Sequence, residues 1–174
     1  YEPDWTTDDR VNYTNSIADI LAEISPADVN PSIQTAPLAF KPNVAGEAYI
    51  ERFTRNVFRV VAHLLDLEER TGRRVKLAIE PEPACYLETT DETVEWFTDR
   101  VYSRAGISEL AEVANIPLSE AEGAVRRYLG IVFDIGHQSV GFENITDSLN
   151  KIVDAGIPIF KLQEASSLWV EELT

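Results

Sequence analysis

Lys76-Leu-Ala-Ile-Glu80, stopped by Pro81 and Pro83, is the stretch on which the fold turns. Its apolar content and its abrupt end predict a strand over 75–80. Successive side chains of a strand point to opposite faces, so Leu77 and Ile79 share one side while Lys76, Ala78 and Glu80 share the other. Two later stretches repeat the arrangement. In 130–134, Ile131 and Phe133 oppose Gly130, Val132 and Asp134; in 158–163, Phe160 and Leu162 oppose Ile159, Lys161 and Gln163. The large apolar pairs suit a sheet packed under helices. The opposing series is too polar for a doubly wound sheet, which is buried on both faces. A barrel interior, polar towards its mouth, accepts it.

The flanking sequence supplies the helices. A stripe of Ile17, Ile20, Leu21 and Ile24 predicts a helix over 7–24, with Asp8 and Asp9 at its start. Ile50, Phe53, Val57, Val60, Val61, Leu64 and Leu65 predict a long helix over 47–69, closed by Thr71-Gly72. A helix over 90–102 carries Val94, Trp96 and Phe97, and two short ones follow. The second of these is expected to begin at Ser119, with Glu122 at capping-box spacing. The last helix, 143–155, ends at Gly156, and a further short strand is expected early in the chain over 32–36. Alternation of strands with helical crossovers implies a parallel sheet. The expected fold class is therefore α/β, a partial (β/α)8 TIM barrel of about four β/α units.

Composition narrows the function. A chain of 174 residues with 44% hydrophobic and 26% charged residues can build one globular domain, so 1–174 is read as a single partial barrel. A formal charge of −15 would repel a phosphate backbone, which argues against nucleic acid. No apolar run approaches the roughly 20 residues of a membrane span. Cys85 is the lone cysteine and cannot form an internal disulfide. The start at Tyr1 and the lack of methionine suggest an excerpt of a longer chain. A cytoplasmic location and a small-molecule metabolite as partner are expected, with homo-oligomerisation left open.

The chemistry lies at the strand ends. Glu80, Asp134 and Gln163 each close the inner series of their strand at its C-terminal end. That is the end where barrel enzymes keep their active sites. Two carboxylates and an amide oxygen suit a hard divalent cation, Mg²⁺ or Mn²⁺, with Zn²⁺ admissible.

The stretches Leu77-Ala-Ile-Glu-Pro-Glu-Pro83, Val132-Phe-Asp-Ile-Gly-His137 and Ile159-Phe-Lys-Leu-Gln163 resemble the xylose-isomerase-like TIM barrels. Within that family, the Glu-Pro-Glu-Pro stretch, the Asp-x-x-His-Gln and the Lys-x-Gln followed by Ala165-Ser-Ser167 are similar to the metabolite traffic protein EboE subgroup. The resemblance implies a metal-dependent isomerase or epimerase acting on a small hydroxy-carbonyl compound, a sugar or keto acid. It implies that Glu80 and Asp134 bind the metal, that Gln163 stands where many members have a metal-binding histidine, and that Glu80 also moves the proton. His137 would contact substrate oxygens near the metal, and a fourth ligand, a glutamate, would come from outside this chain. The subgroup also admits another reading, a barrel that binds or moves a metabolite without turning it over.

Other residues have competing readings. Lys161 could meet substrate or pair with a barrel carboxylate, and Glu82 could touch substrate or order its loop. Lys76 is read as an ion-pair partner, Cys85 as a plain loop cysteine and His63 as a buried or edge histidine. Trp96 is read as core, whereas Trp5 and Trp169 could line a mouth.

Overall fold

The computed structural model describes residues 2–165 together with 168 and 170. In chain order the elements are α1 (Asp8–Ile24), β1 (Ser32–Thr35), α2 (Glu47–Thr71), β2 (Lys76–Ile79), α3 (Thr90–Trp96), α4 (Arg104–Ala114), α5 (Leu118–Tyr128), β3 (Leu129–Asp134), α6 (Ile135–Val140), α7 (Ile145–Asp154) and β4 (Ile159–Gln163). The strands form one parallel sheet in the order β1-β2-β3-β4, so the chain is an α/β protein with helical crossovers. None of the described helices is long and apolar enough to cross a membrane.

The alternation in the sequence sets the two faces. Ile33, Leu77, Ile79, Leu129, Ile131 and Phe133 join the core beneath the helices, together with Phe53, Val57, Val60, Val61 and Leu64 of α2. Trp96 belongs to this core and donates to Thr54 at 3.1 Å. Trp5 does as well: it is 1% exposed and donates to Thr35 at 3.2 Å, so it does not line a mouth.

The sheet is curled. Cα atoms of β2 and β4, which are second neighbours, approach within 8 Å. Two flat inter-strand spacings would separate them by roughly 9.5 Å. The inner side is the concave one, because Lys161 on β4 bonds Gln34 on β1 across the whole sheet.

Five local features differ from the sequence reading in the folded chain. On α1 the buried residues are Val11, Thr14, Ala18 and Ala22, whereas Ile20 and Ile24 are 57% and 68% exposed. The small alanines let α1 lie close to α2, with Ile17 and Leu21 packed against the core and Ile20 and Ile24 turned outward. The helix expected over 90–102 is α-helical only to Trp96 and then widens into a π-helical turn, Phe97–Val101. The carbonyls of Arg100 and Val101 press on Gly106, where a Cβ would collide with them. α5 starts at Leu118 after Pro117, so Ser119 is inside the helix and caps nothing. α6 was not expected, since six residues including Gly136 carry little helical periodicity.

The fifth change concerns β4. Ile131 pairs with Ile159 but Val132 pairs with Lys161, so Phe160 is an extra residue on β4, a bulge. Ile159 packs with the core on the helix side. Phe160 instead turns inward: its ring lies 2.9 Å from where a Cβ on Gly130 would stand, and the Lys76 ammonium sits 4.7 Å from the ring centroid. The expected sides of Ile159 and Phe160 are thus exchanged, and Lys76 is held by an aromatic face. Leu162 stays on the helix side, opposite Phe133, but is 55% exposed.

At the opposite end of the sheet from the strand C-termini, Glu68 ties three segments together. It accepts from Arg74 at 3.0 Å, from the Tyr128 hydroxyl at 2.7 Å and from Arg127. Burial opposes its ionisation, but these three donors outweigh burial and hold the carboxyl at about 2.

Two predictions follow from this packing. Gly130→Ala must displace the Pro158 carbonyl or the Phe160 ring, and should lose about 1–3 kcal/mol in urea denaturation. Because the pKa of Glu68 is lower folded than unfolded, its stabilisation is present above the ordinary value of 4.5 and is lost as pH falls towards about 2. Glu68→Gln should therefore flatten the acid limb of a stability–pH curve measured between those limits, and leave the protein less stable at neutral pH by about 1–3 kcal/mol.

Candidate metal centre

The C-terminal edge of the sheet gathers three metal-capable groups. Asp134 ends β3, and its Oδ1 accepts the backbone N–H of Gly136 at 2.7 Å and of His137 at 3.2 Å. This caps α6 and leaves Oδ2 facing the concave side. Glu80 follows β2 directly; its N–H still donates to the Thr35 carbonyl at 2.9 Å, so the ladder holds its backbone. Both side chains are buried.

His137 lies in the first turn of α6, which the Asp134 cap orients. Its Nδ1 is 3.2 Å from the Pro81 carbonyl and 3.8 Å from both Glu80 Oε1 and Asp134 Oδ2. A carbonyl oxygen only accepts, so Nδ1 carries the hydrogen of this bond. Donor atoms of Glu80, Asp134 and His137 all lie within 4.8 Å of one another, and this trio could hold a metal ion. Two buried carboxylates and an imidazole fit a divalent cation, and the imidazole widens the choice towards Mn²⁺ or Zn²⁺.

Two amides complete the arrangement. Gln163, at the end of β4, donates from Nε2 to Asp134 Oδ2. Gln34, on the inner side of β1, donates from Nε2 to Glu80 Oε2. Lys161 donates to the oxygens of both amides, at 3.2 Å for Gln163 and closer for Gln34. Among the described residues Lys161 forms no ion pair with a carboxylate; it reaches Glu80 and Asp134 only through the two glutamines. The structure thus brings together Glu80, Asp134, His137, Lys161 and Gln163.

Electrostatics single out Glu80. Burial pushes its carboxyl above the ordinary range; the Gln34 hydrogen bond and His137 pull it back, and the charges of Glu82 and Asp134 add to the upward push. Glu82 is half-buried in a tight loop, where its N–H donates to the Leu87 carbonyl at 3.1 Å. Cys85, in the same loop, is fully buried. His63 is at the helix edge, 2.9 Å from Asp19. Ser166, Ser167 and Trp169 lie outside the described residues.

Gln34 is the member of the centre that the motifs miss. Its signal was faint: a polar residue between Ile33 and Thr35, in register with Ala78 of the inner series. The surrounding loops carry backbone strain, with positive φ at Leu38, Ala84 and Phe142 in the segments that follow β1, β2 and α6. A cleft of about 340 Å³ lined by Lys41, Tyr86, Glu92, Trp96 and Arg100 is formed by the loops and α3, and includes none of the five grouped residues. Its cations are already paired, Lys41 with Glu88 and Glu92, Arg100 with Glu47.

No protein-family model matches the chain, and no curated protein matches it at a significant level.

The capping role of Asp134 can be separated from its charge. Asp134→Ala removes the cap of α6 and should cost about 1–2 kcal/mol in chemical denaturation. Asp134→Asn keeps an oxygen for the Gly136 and His137 N–H groups and should recover most of that loss. Equal losses in both variants would show that the cap is not what Asp134 contributes.

Proposed function

We propose that the sheet is half of a (β/α)8 barrel of the xylose-isomerase-like type, and that its mouth binds a divalent cation and isomerises or epimerises a small hydroxy-carbonyl compound. The curl of the sheet and its two open edge strands support the barrel. So do the apolar surfaces left uncovered at both flanks, Tyr13, Ile20 and Ile24 of α1 at one end and Val153 of α7 with Leu162 of β4 at the other. Each flank has the surface that a neighbouring β/α unit would bury.

The observation that carries the functional reading is the convergence of Glu80, Asp134 and His137 at the C-terminal edge of adjacent parallel strands. In this reading Glu80 and Asp134 hold the cation with His137 as the neutral donor beside them, and Gln163 supports the Asp134 oxygen that meets it. A bound divalent cation supplies Lewis-acid polarisation to neighbouring hydroxyl and carbonyl oxygens. Glu80 takes and returns a proton at the carbon next to the carbonyl. The bond of His137 to the Pro81 carbonyl sets its hydrogen on Nδ1 and leaves Nε2 as the nitrogen that would meet the cation. Lys161 and Glu82 stand at the rim, where they can meet the rest of the substrate.

Calorimetric titration with Mn²⁺ and Mg²⁺ tests the cation. Micromolar binding by the protein should be lost in Asp134→Asn, which keeps the cap of α6; no binding by either protein would overturn the metal reading. Hydroxy-ketones and hydroxy-aldehydes incubated with the loaded protein in deuterated water should gain deuterium next to the carbonyl. Cation binding without any exchange would instead favour carriage of a metabolite.

A further inference from the structure

The two glutamines of the centre are oriented alike, each between a carboxylate and the Lys161 ammonium. Each turns its oxygen to the Lys161 ammonium and its NH₂ to a carboxylate, Gln34 to Glu80 and Gln163 to Asp134. The Gln34 NH₂ also lies 3.5 Å from the Gln163 oxygen, so the two amides and the lysine form one closed set. Turning the Gln163 amide over would set its oxygen against the Asp134 carboxylate and its NH₂ against the ammonium. A cation on Asp134 would remove the first repulsion. Only the loss or withdrawal of Lys161 would remove the second.

We propose that Lys161 is a positioning residue that turns Gln34 and Gln163 so that they support Glu80 and Asp134 through N–H donation, withholding the Gln163 oxygen from the cation. The inference rests on the metal reading above and refines it. With Lys161 in place the cation is held by the carboxylates and His137, and Gln163 fixes the Asp134 oxygen that meets it. The lysine also adds a positive charge to the rim, which lowers cation affinity further. The arrangement keeps the cation weakly held, with coordination positions open to substrate oxygens.

Lys161 is exposed, so its replacement leaves the core intact. Lys161→Met should bind Mn²⁺ roughly tenfold more tightly, because both the charge and the orienting bond are gone. A double-mutant cycle with Gln163→Leu separates the two effects. Gln163→Leu alone should change Mn²⁺ affinity little, whereas in the Lys161→Met background it should abolish most of the gain. An equal gain in both backgrounds would mean that charge alone acts, and would overturn the proposal; so would no gain. The side-chain NH₂ resonances of Gln34 and Gln163, recorded with saturating Mg²⁺, read the orientation directly. They should be dispersed and slow to exchange with water in the native protein, and averaged and fast in Lys161→Met. Unchanged resonances would overturn the orienting role. Absence of Mn²⁺ binding in every variant would overturn the metal reading, and with it the withheld ligand, even if the resonances moved as expected.

Discussion

Lys161 and Gln34 stand on strands at opposite edges of a four-stranded sheet, and they touch. In a flat sheet three inter-strand spacings, roughly 14 Å, would separate their backbones. Curl brings the two edges over one another and turns four shallow rows of side chains into one concave polar surface. The set of amides around Lys161 depends on it. Each amide reaches its carboxylate from the neighbouring strand, but without curl Gln34 and Gln163 could not both reach the same ammonium.

The local chemistry that sustains this shape is small. Gly130 has no side chain, so the Phe160 ring and the Pro158 carbonyl can lie against β3. That close seat goes with the extra residue in β4, and the bulge turns Phe160 and Lys161 to the same side of the sheet. The phenyl ring covers the lower part of the concave face, where Lys76 rests on it. The ammonium of Lys161 is left for the upper part, beside the carboxylates. An inner face that is apolar low and polar high follows from this one irregularity.

Asp134 shows how one carboxylate serves fold and site together. One oxygen caps α6 and so aims His137 at the centre; the other is free to take an amide hydrogen or a cation. Glu80 has no such backbone donors, and burial leaves it readier to hold a proton.

Much of this was legible in the chain. The alternation in Lys76–Glu80 and 130–134 determined which side of the sheet faces the helices, because side-chain direction in a strand follows from position alone. The same alternation put Glu80 and Asp134 at the ends of inner rows, and Gln163 followed although its strand contains a bulge. Gln34, α6 and the inward turn of Phe160 were not legible. Gln34 depends on Glu80 and Lys161 and Phe160 on the empty space above Gly130, all far away in sequence, whereas α6 depends on its neighbour Asp134, a cap that was read only as a ligand. The stripe on α1 held for Ile17 and Leu21 but not for Ile20 and Ile24, since periodicity identifies an apolar edge but not the neighbour that covers it. The sequence by itself determined the strands, their faces and the two carboxylates, because those are set by residues adjacent in the chain. Only the tertiary structure decided the curl, the bulge and the amide set around Lys161, because each is a contact between strands whose distance the chain does not encode locally.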